Sequence, residues 1–106
     1  MFKVIRKQIR PSTNVPFWQG QNDPAMTEEF RSYFYENYIL TGKFISATPE
    51  ISANGLELTT TSIWNSEADC DESRNDPVCI AGLHDLSIAH GDTTGVVTET
   101  TVRETI

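Results

Sequence analysis

Apolar and polar residues alternate from Phe2 to Arg10 (FKVIRKQIR). Ile5 and Ile9 fall on one side with Lys3 and Lys7; Val4 falls on the other with Arg6, Gln8 and Arg10. A period of two predicts a strand, and neither of its faces is purely apolar. Pro11-Ser12-Thr13-Asn14 ends it. Val15-Pro16-Phe17-Trp18 follows, and loops seldom spend Phe and Trp on solvent. This pair is therefore expected to cover an edge or fill part of an interface. The period then changes. Met26, Phe30, Tyr33, Phe34, Asn37 and Tyr38 recur at helical spacing, which predicts a helix from Asp23-Pro24 or Thr27 through Tyr38. Pro24 suits a first turn, and Glu28 and Glu29 suit the positive end of the helix dipole. The aromatic stripe suits the covering of a sheet.

Ile39 to Thr48 reads as a second strand, with Gly42 marking a bulge or a close approach of another backbone. Pro49 to Gly55 is a connection ending in the turn signal Asn54-Gly55. Leu56 to Trp64 is a third strand, antiparallel to the second. Ser66 can cap a short acidic helix by accepting a bond near Asp69, and Asp69 could return the bond. That helix ends near Asn75. Asp76-Pro77 starts another, in which Cys79, Ile80, Leu83, Leu86 and His90 lie roughly along one stripe. Gly91 suits its end, and His90 is placed to favour the dipole there. Gly82 within it costs about 1 kcal/mol relative to Ala, so a close neighbour is expected. Gly95 to Ile106 is the last strand. The order β-α-β-β-α-β, its second helix split in two, predicts an α+β ferredoxin-like fold. Four antiparallel strands carry helices on one face. The other face needs cover, and a second copy of the chain is the simplest cover. The expected partner is therefore self, a homodimer through the sheet face.

Composition narrows the function classes. At 106 residues the chain is expected to be one domain, residues 1–106. It is 38% hydrophobic and 22% charged, the make-up of a globular protein. A net charge of −7 argues against nucleic acid as the partner. Lys3, Arg6, Lys7 and Arg10 crowd the first strand, and Glu67, Asp69, Asp71, Glu72 and Asp76 crowd the acidic helix. Two readings stand: solvated faces, or a complement facing a subunit or ligand. Cys70 and Cys79 are too few for a disulfide scaffold and fit no zinc spacing. Two buried, reduced thiols are expected; a bridge would need the two helices to fold back on each other. No leader or membrane-length apolar run is visible, so a cytoplasmic protein without a membrane partner is expected. There is no phosphate-binding glycine loop, HExxH, GxSxG or calcium-loop spacing.

The strand Leu58–Trp64 (LTTTSIW), the following Asn65-Ser66-Glu67-Ala68, and the junction Arg74-Asn75-Asp76-Pro77 resemble the dimeric α/β-barrel superfamily. Within it they resemble the antibiotic-biosynthesis-monooxygenase-like domains. The resemblance covers nearly the whole chain in element order and is residue-specific over 56–84. It implies a pocket between helices and sheet, in which a small aromatic or polyketide-like substrate supplies electrons to oxygen without a cofactor. The protein would stabilise an enolate-like anion there. His84, whose residue type exchanges protons near neutral pH, and Trp64, through its indole N–H, are then the catalytic candidates. Arg6, Gln8, Tyr33 and Tyr38 are candidates for the pocket wall. Haem-degrading relatives use an Asn on the first strand, a Trp in the second helix and a His ligand. Here the first strand has no Asn, Ser73 falls where the Trp would be, and His84 fits only after a one-residue shift. The alternatives are a non-enzymatic small-molecule-binding or structural dimer on the same fold, and an assembly component using Phe17 and Trp18.

Overall fold

The computed structural model describes residues 1–15, 17, 23, 25–89 and 98–106, the side chains of 86–89 and 98–99 excepted. Four strands, β1 (Phe2–Ile9), β2 (Phe44–Ile51), β3 (Glu57–Trp64) and β4 (Thr98–Thr105), form one antiparallel sheet in the order β2-β3-β1-β4. Between them run α1 (Glu28–Phe34), which continues as a π-helical turn over Tyr35–Ile39, then α2 (Glu67–Asn75) and α3 (Pro77–Ala89). This is the expected ferredoxin-like α+β plan. Trp18, Pro24, His90 and Gly91 lie outside the described residues, as does the expected start of the last strand at Gly95.

The pleat sorts β1 into two faces. Phe2 and Val4 join the core on the helix side, and Gln8, in step with them, is fully buried. Lys3, Ile5, Lys7 and Ile9 point the other way. Register places Trp64 opposite Phe2, Leu58 opposite Gln8, and Ile63 opposite Lys3, so the faces of β3 follow those of β1. Val102, opposite Ile5, belongs to the uncovered face and is 56% exposed. That face interleaves Ile5, Ile9, Ile63 and Val102 with threonines and two ion pairs, Lys3–Glu104 at 2.8 Å and Lys7–Glu57 at 3.4 Å.

Local chemistry sets most of the helix ends. Thr27, one of the two expected starts, caps α1: its Oγ1 accepts the Phe30 N–H at 3.2 Å. Ser66 caps α2 through the Asp69 N–H at 3.1 Å. The Asp69 carboxylate does not return that bond; it accepts from the Asn65 side chain at 3.1 Å. Asp76 caps α3 through the Val78 N–H at 2.9 Å.

Three expectations shift. The second strand begins at Phe44, not Ile39, because the helix overruns through its π turn and the chain then reverses at Gly42, whose φ of 79° suits glycine. Among the described residues nothing lies within 4 Å of where a Cβ would stand on Gly42; the bulge lies between Phe44 and Ser46. Pro49 is not in a connection but inside β2. The Ser52 N–H bonds to Glu57 O at 2.9 Å, so even-numbered positions of this segment turn their amides toward β3. Pro49 therefore puts its missing donor on the free edge, where it breaks no ladder bond. Asn54-Gly55 does make the turn, with Gly55 at φ 74°.

In α3 the expected apolar stripe divides. Cys79 is buried, whereas Ile80 is 54% exposed and Leu83 also faces outward. The buried face is instead set by Cys79 and Gly82, because the Phe30 ring lies flat on Gly82. Phe17 is also buried, packed on Leu58 beneath the Arg10 guanidinium 4.2 Å from its ring centre. Arg10 holds that connection through the Val15 and Gly55 carbonyls, both at 2.8 Å. Cys70 and Cys79 are buried free thiols, and burial raises the pKa of each.

A Cβ at position 82 would overlap the Phe30 ring. Gly82→Ala gains about 1 kcal/mol of helix propensity but incurs overpacking of about 1–3 kcal/mol. The substitution is expected to lower stability in denaturant unfolding. In a Phe30→Leu background, which empties the contact, the same substitution is expected to stabilise.

Candidate functional site

The helix-facing side of the sheet is filled by rings at the Trp64 end. Phe34 stacks on Tyr38 at 5.2 Å and meets Phe44 edge-on at 5.4 Å; Trp64 meets Phe44 at 5.1 Å, Tyr38 at 6.4 Å and Phe34 at 6.4 Å. The Trp64 indole N–H is spent inside this cluster, on Ser62 Oγ at 3.2 Å. Ser62 Oγ in turn reaches Val4 O at 3.4 Å.

Beside the cluster opens a cleft of about 380 Å3 lined by Tyr33, Asn37, Tyr38, Lys43, Glu72, Asn75 and Asp76. Its floor is Asp76. Tyr33 and Tyr38 both donate to Asp76 Oδ2 at 2.7 Å. In a regular helix, side chains five apart diverge by about 140° at 3.6 residues per turn. The wider π turn, marked by the Leu40 N–H bond to Tyr35 O at 2.8 Å, lets both hydroxyls converge on one oxygen. At the rim Lys43 Nζ lies 2.6 Å from Glu72 Oε2 and 5.8 Å from the Tyr38 ring centre. Asn37 and Asn75 donate back to the helix carbonyls of Tyr33 and Asp71, each at 2.9 Å.

The protonation states follow. Burial disfavours the Asp76 charge, but bonds from Tyr38, Tyr33, and the Val78 and Cys79 amides outweigh it and hold the carboxyl below its usual value. The Asp76 bond pushes Tyr33 up to about 12. Burial first, and then Asp76, raises Tyr38 further. The Glu72 contact raises Lys43. A general acid or base works best when it titrates near the ambient pH, and these shifts all lead away from neutrality. The cleft suits recognition better than proton transfer.

The candidates read from the sequence are spread over several places. Tyr33 and Tyr38 line the cleft. Trp64 is buried next to it, behind Tyr38. Gln8 lies on the same sheet face, but its register partner is Leu58, six residues or about 20 Å from the Trp64 end at some 3.4 Å per residue. Arg6 is half-buried between them. His84 is exposed on α3, eight residues or about 12 Å along the helix from Asp76. Sequence reasoning missed Asp76 as a shared acceptor, together with Lys43, Glu72, Asn37 and Asn75. Its available signals were the Asp76-Pro77 pair, read as a helix cap, and the acidic cluster holding Glu72 and Asp76, for which a face toward a subunit or ligand was one of two readings. Among the described residues no group of three or more His, Cys, Asp or Glu could hold a metal ion. No described helix is long and apolar enough to cross a membrane.

Asp76 contributes stability above its unfolded value of 3.8, and the contribution is lost as pH falls through the depressed folded value. Asp76→Asn keeps a capping oxygen and removes this dependence. Denaturant unfolding from pH 6 to pH 3 is expected to show the variant weaker by about 1 kcal/mol near neutrality. The gap should close at the acid end.

No family model matches the sequence, and no curated protein is similar to it in sequence. Solved structures do share its fold. SnoaB, a cofactor-independent oxygenase from Streptomyces nogalater, superposes with a TM-score of 0.59 at 9% identity, over 99% of this chain and 91% of its own. A candidate antibiotic biosynthesis monooxygenase from Deinococcus radiodurans gives 0.54 at 7% identity, over 100% and 92%. A dimeric ferredoxin-like protein of unknown function from a Jannaschia species gives 0.53 at 9% identity, over 98% and 99%. The chain shares a ferredoxin-like fold with these structures.

Proposed function

We propose that this chain acts as a homodimeric small-molecule-binding protein on an oxygenase-like fold, with its ligand in the Tyr33–Tyr38–Asp76 cleft. The observation that carries this reading is the filled space around Trp64. A substrate seated between helices and sheet would have to displace Phe34, Tyr38 and Phe44, rings packed on Trp64 and, for Tyr38 and Phe44, on Phe34. The Trp64 N–H has an internal acceptor, and His84 lies outside the cleft. The cleft, by contrast, has the volume of a small-ligand site and a mixed polar and aromatic wall.

The uncovered sheet face supports self-association. Ile5, Ile9, Ile63 and Val102 make apolar positions that a two-fold-related copy would cover, interleaved with Lys3, Lys7, Glu57 and Glu104 in their ion pairs. The fold of the Jannaschia protein, itself dimeric, is consistent with that arrangement.

Two measurements test the proposal. Oxygen uptake with polyphenolic substrates is expected to equal the rate in buffer, for the parent chain and for His84→Ala alike. Uptake above that rate which drops in Trp64→Phe would restore the oxygenase reading. Light scattering after size exclusion is expected to give twice the chain mass, and one chain mass for the double substitution Ile63→Lys, Val102→Lys. A parent chain of single mass would remove the dimer.

A further inference from the structure

Lys43 shows what the cleft can hold. Its ammonium rests on the Glu72 carboxylate and over the Tyr38 ring, tethered by its own side chain. Both contacts are ones that any ammonium would seek: a charge-assisted hydrogen bond and the negative face of an aromatic ring. The cleft is still not neutral with Lys43 in place, since its lining carries one cation against the two anions Glu72 and Asp76. Among the described residues Asp76 meets only neutral donors, namely two phenol hydroxyls and backbone amides. Its charge is spread among hydrogen bonds, and among the described residues no cation forms an ion pair with it.

The backbone acts in both senses: α3 begins at Pro77 and turns its positive end on Asp76, and two other helix ends oppose it. α2 ends at Asn75, on the cleft wall, and the π turn that carries Asn37 and Tyr38 ends at Ile39. Helix C-termini carry partial negative charge and favour cations. Each of the two asparagines spends one N–H on a helix carbonyl, and its amide oxygen is left to accept from anything that enters. Carboxylates, amide oxygens, ring faces and helix C-terminal ends together make a surface of acceptors. The chain's net charge of −7 draws cations toward it.

We infer that the cleft binds a small organic ammonium, a primary amine carried on an apolar or aromatic body, between the Tyr33–Tyr38 wall, Asp76 and Glu72. The inference rests on the binding role proposed above and gives that site its ligand class. Lys43 is then an internal competitor, because its own ammonium occupies the Glu72 end of the cleft.

Benzylamine, which is cationic at pH 7, and benzyl alcohol, its neutral analogue, serve as probes in calorimetric titrations of the full chain. Benzylamine is expected to bind at least tenfold more tightly than benzyl alcohol and to weaken as salt is raised. Lys43→Met, which keeps the stem but removes the charge, is expected to tighten benzylamine at least fivefold and leave benzyl alcohol unchanged. Glu72→Gln, a substitution at an exposed position that keeps side-chain size, is expected to weaken benzylamine in the Lys43→Met background. Equal affinity for the two probes would overturn the ammonium inference and leave the binding role standing. Binding of neither probe, by the parent chain or by Lys43→Met, would overturn both.

Discussion

One carboxylate holds the helical layer together. Asp76 stands where α2 gives way to α3, caps α3 through one oxygen, and receives Tyr33 and Tyr38 through the other. The two tyrosines belong to the helix that crosses from β1 toward β2, so three helical segments meet on one side chain. A buried or half-buried carboxylate is tolerated only when donors surround it, and here the donors are the helices themselves. The aromatic cluster under Tyr38 takes its position from the same anchor, because Tyr38 is both a ligand of Asp76 and a wall of the Trp64 cluster. The layer can be tight at its centre and open at its rim for one reason: the hydroxyls are drawn toward the helix junction, and the space beyond them is left to Asn37, Lys43 and Asn75.

The strands and the helix order were legible because they rest on local periodicity. A period of two from Phe2 to Arg10 and the Asn54-Gly55 turn are short-range signals, and both are present in the molecule. Caps at Ser66 and Asp76 were legible for the same reason, since a cap is a contact over two or three residues. Boundaries were read less well where two signals competed. Ile39 and Leu40 look like strand residues, yet they end a helix because the π turn adds residues that a regular helix would not need. Pro49 looks like a strand breaker, yet it sits in an edge strand whose outward amide has no partner to lose.

The site was legible only in part, since its geometry comes from contacts that no sequence window contains. Tyr33 and Tyr38 could be named as hydroxyls that might face a cavity. Their convergence on Asp76 spans 43 and 38 positions of chain. Trp64 was named for its indole N–H, and the structure spends that group two residues away on Ser62. His84 was named for its chemistry alone; its position on α3, beyond the outward-facing Ile80, follows from Gly82 taking the buried side. A stripe drawn from hydrophobicity favoured Ile80 and Leu83, and a ring that needs a flat surface favoured glycine.

Pro49 has a consequence for how copies of this sheet can accumulate. A strand that lacks an amide on its outer side is a poor template for another strand, while β4 presents an uninterrupted outer row with no proline. Of the two edges, β2 is therefore the weaker one for adding a strand. A single imino acid on β2 thus biases any strand addition toward the β4 side.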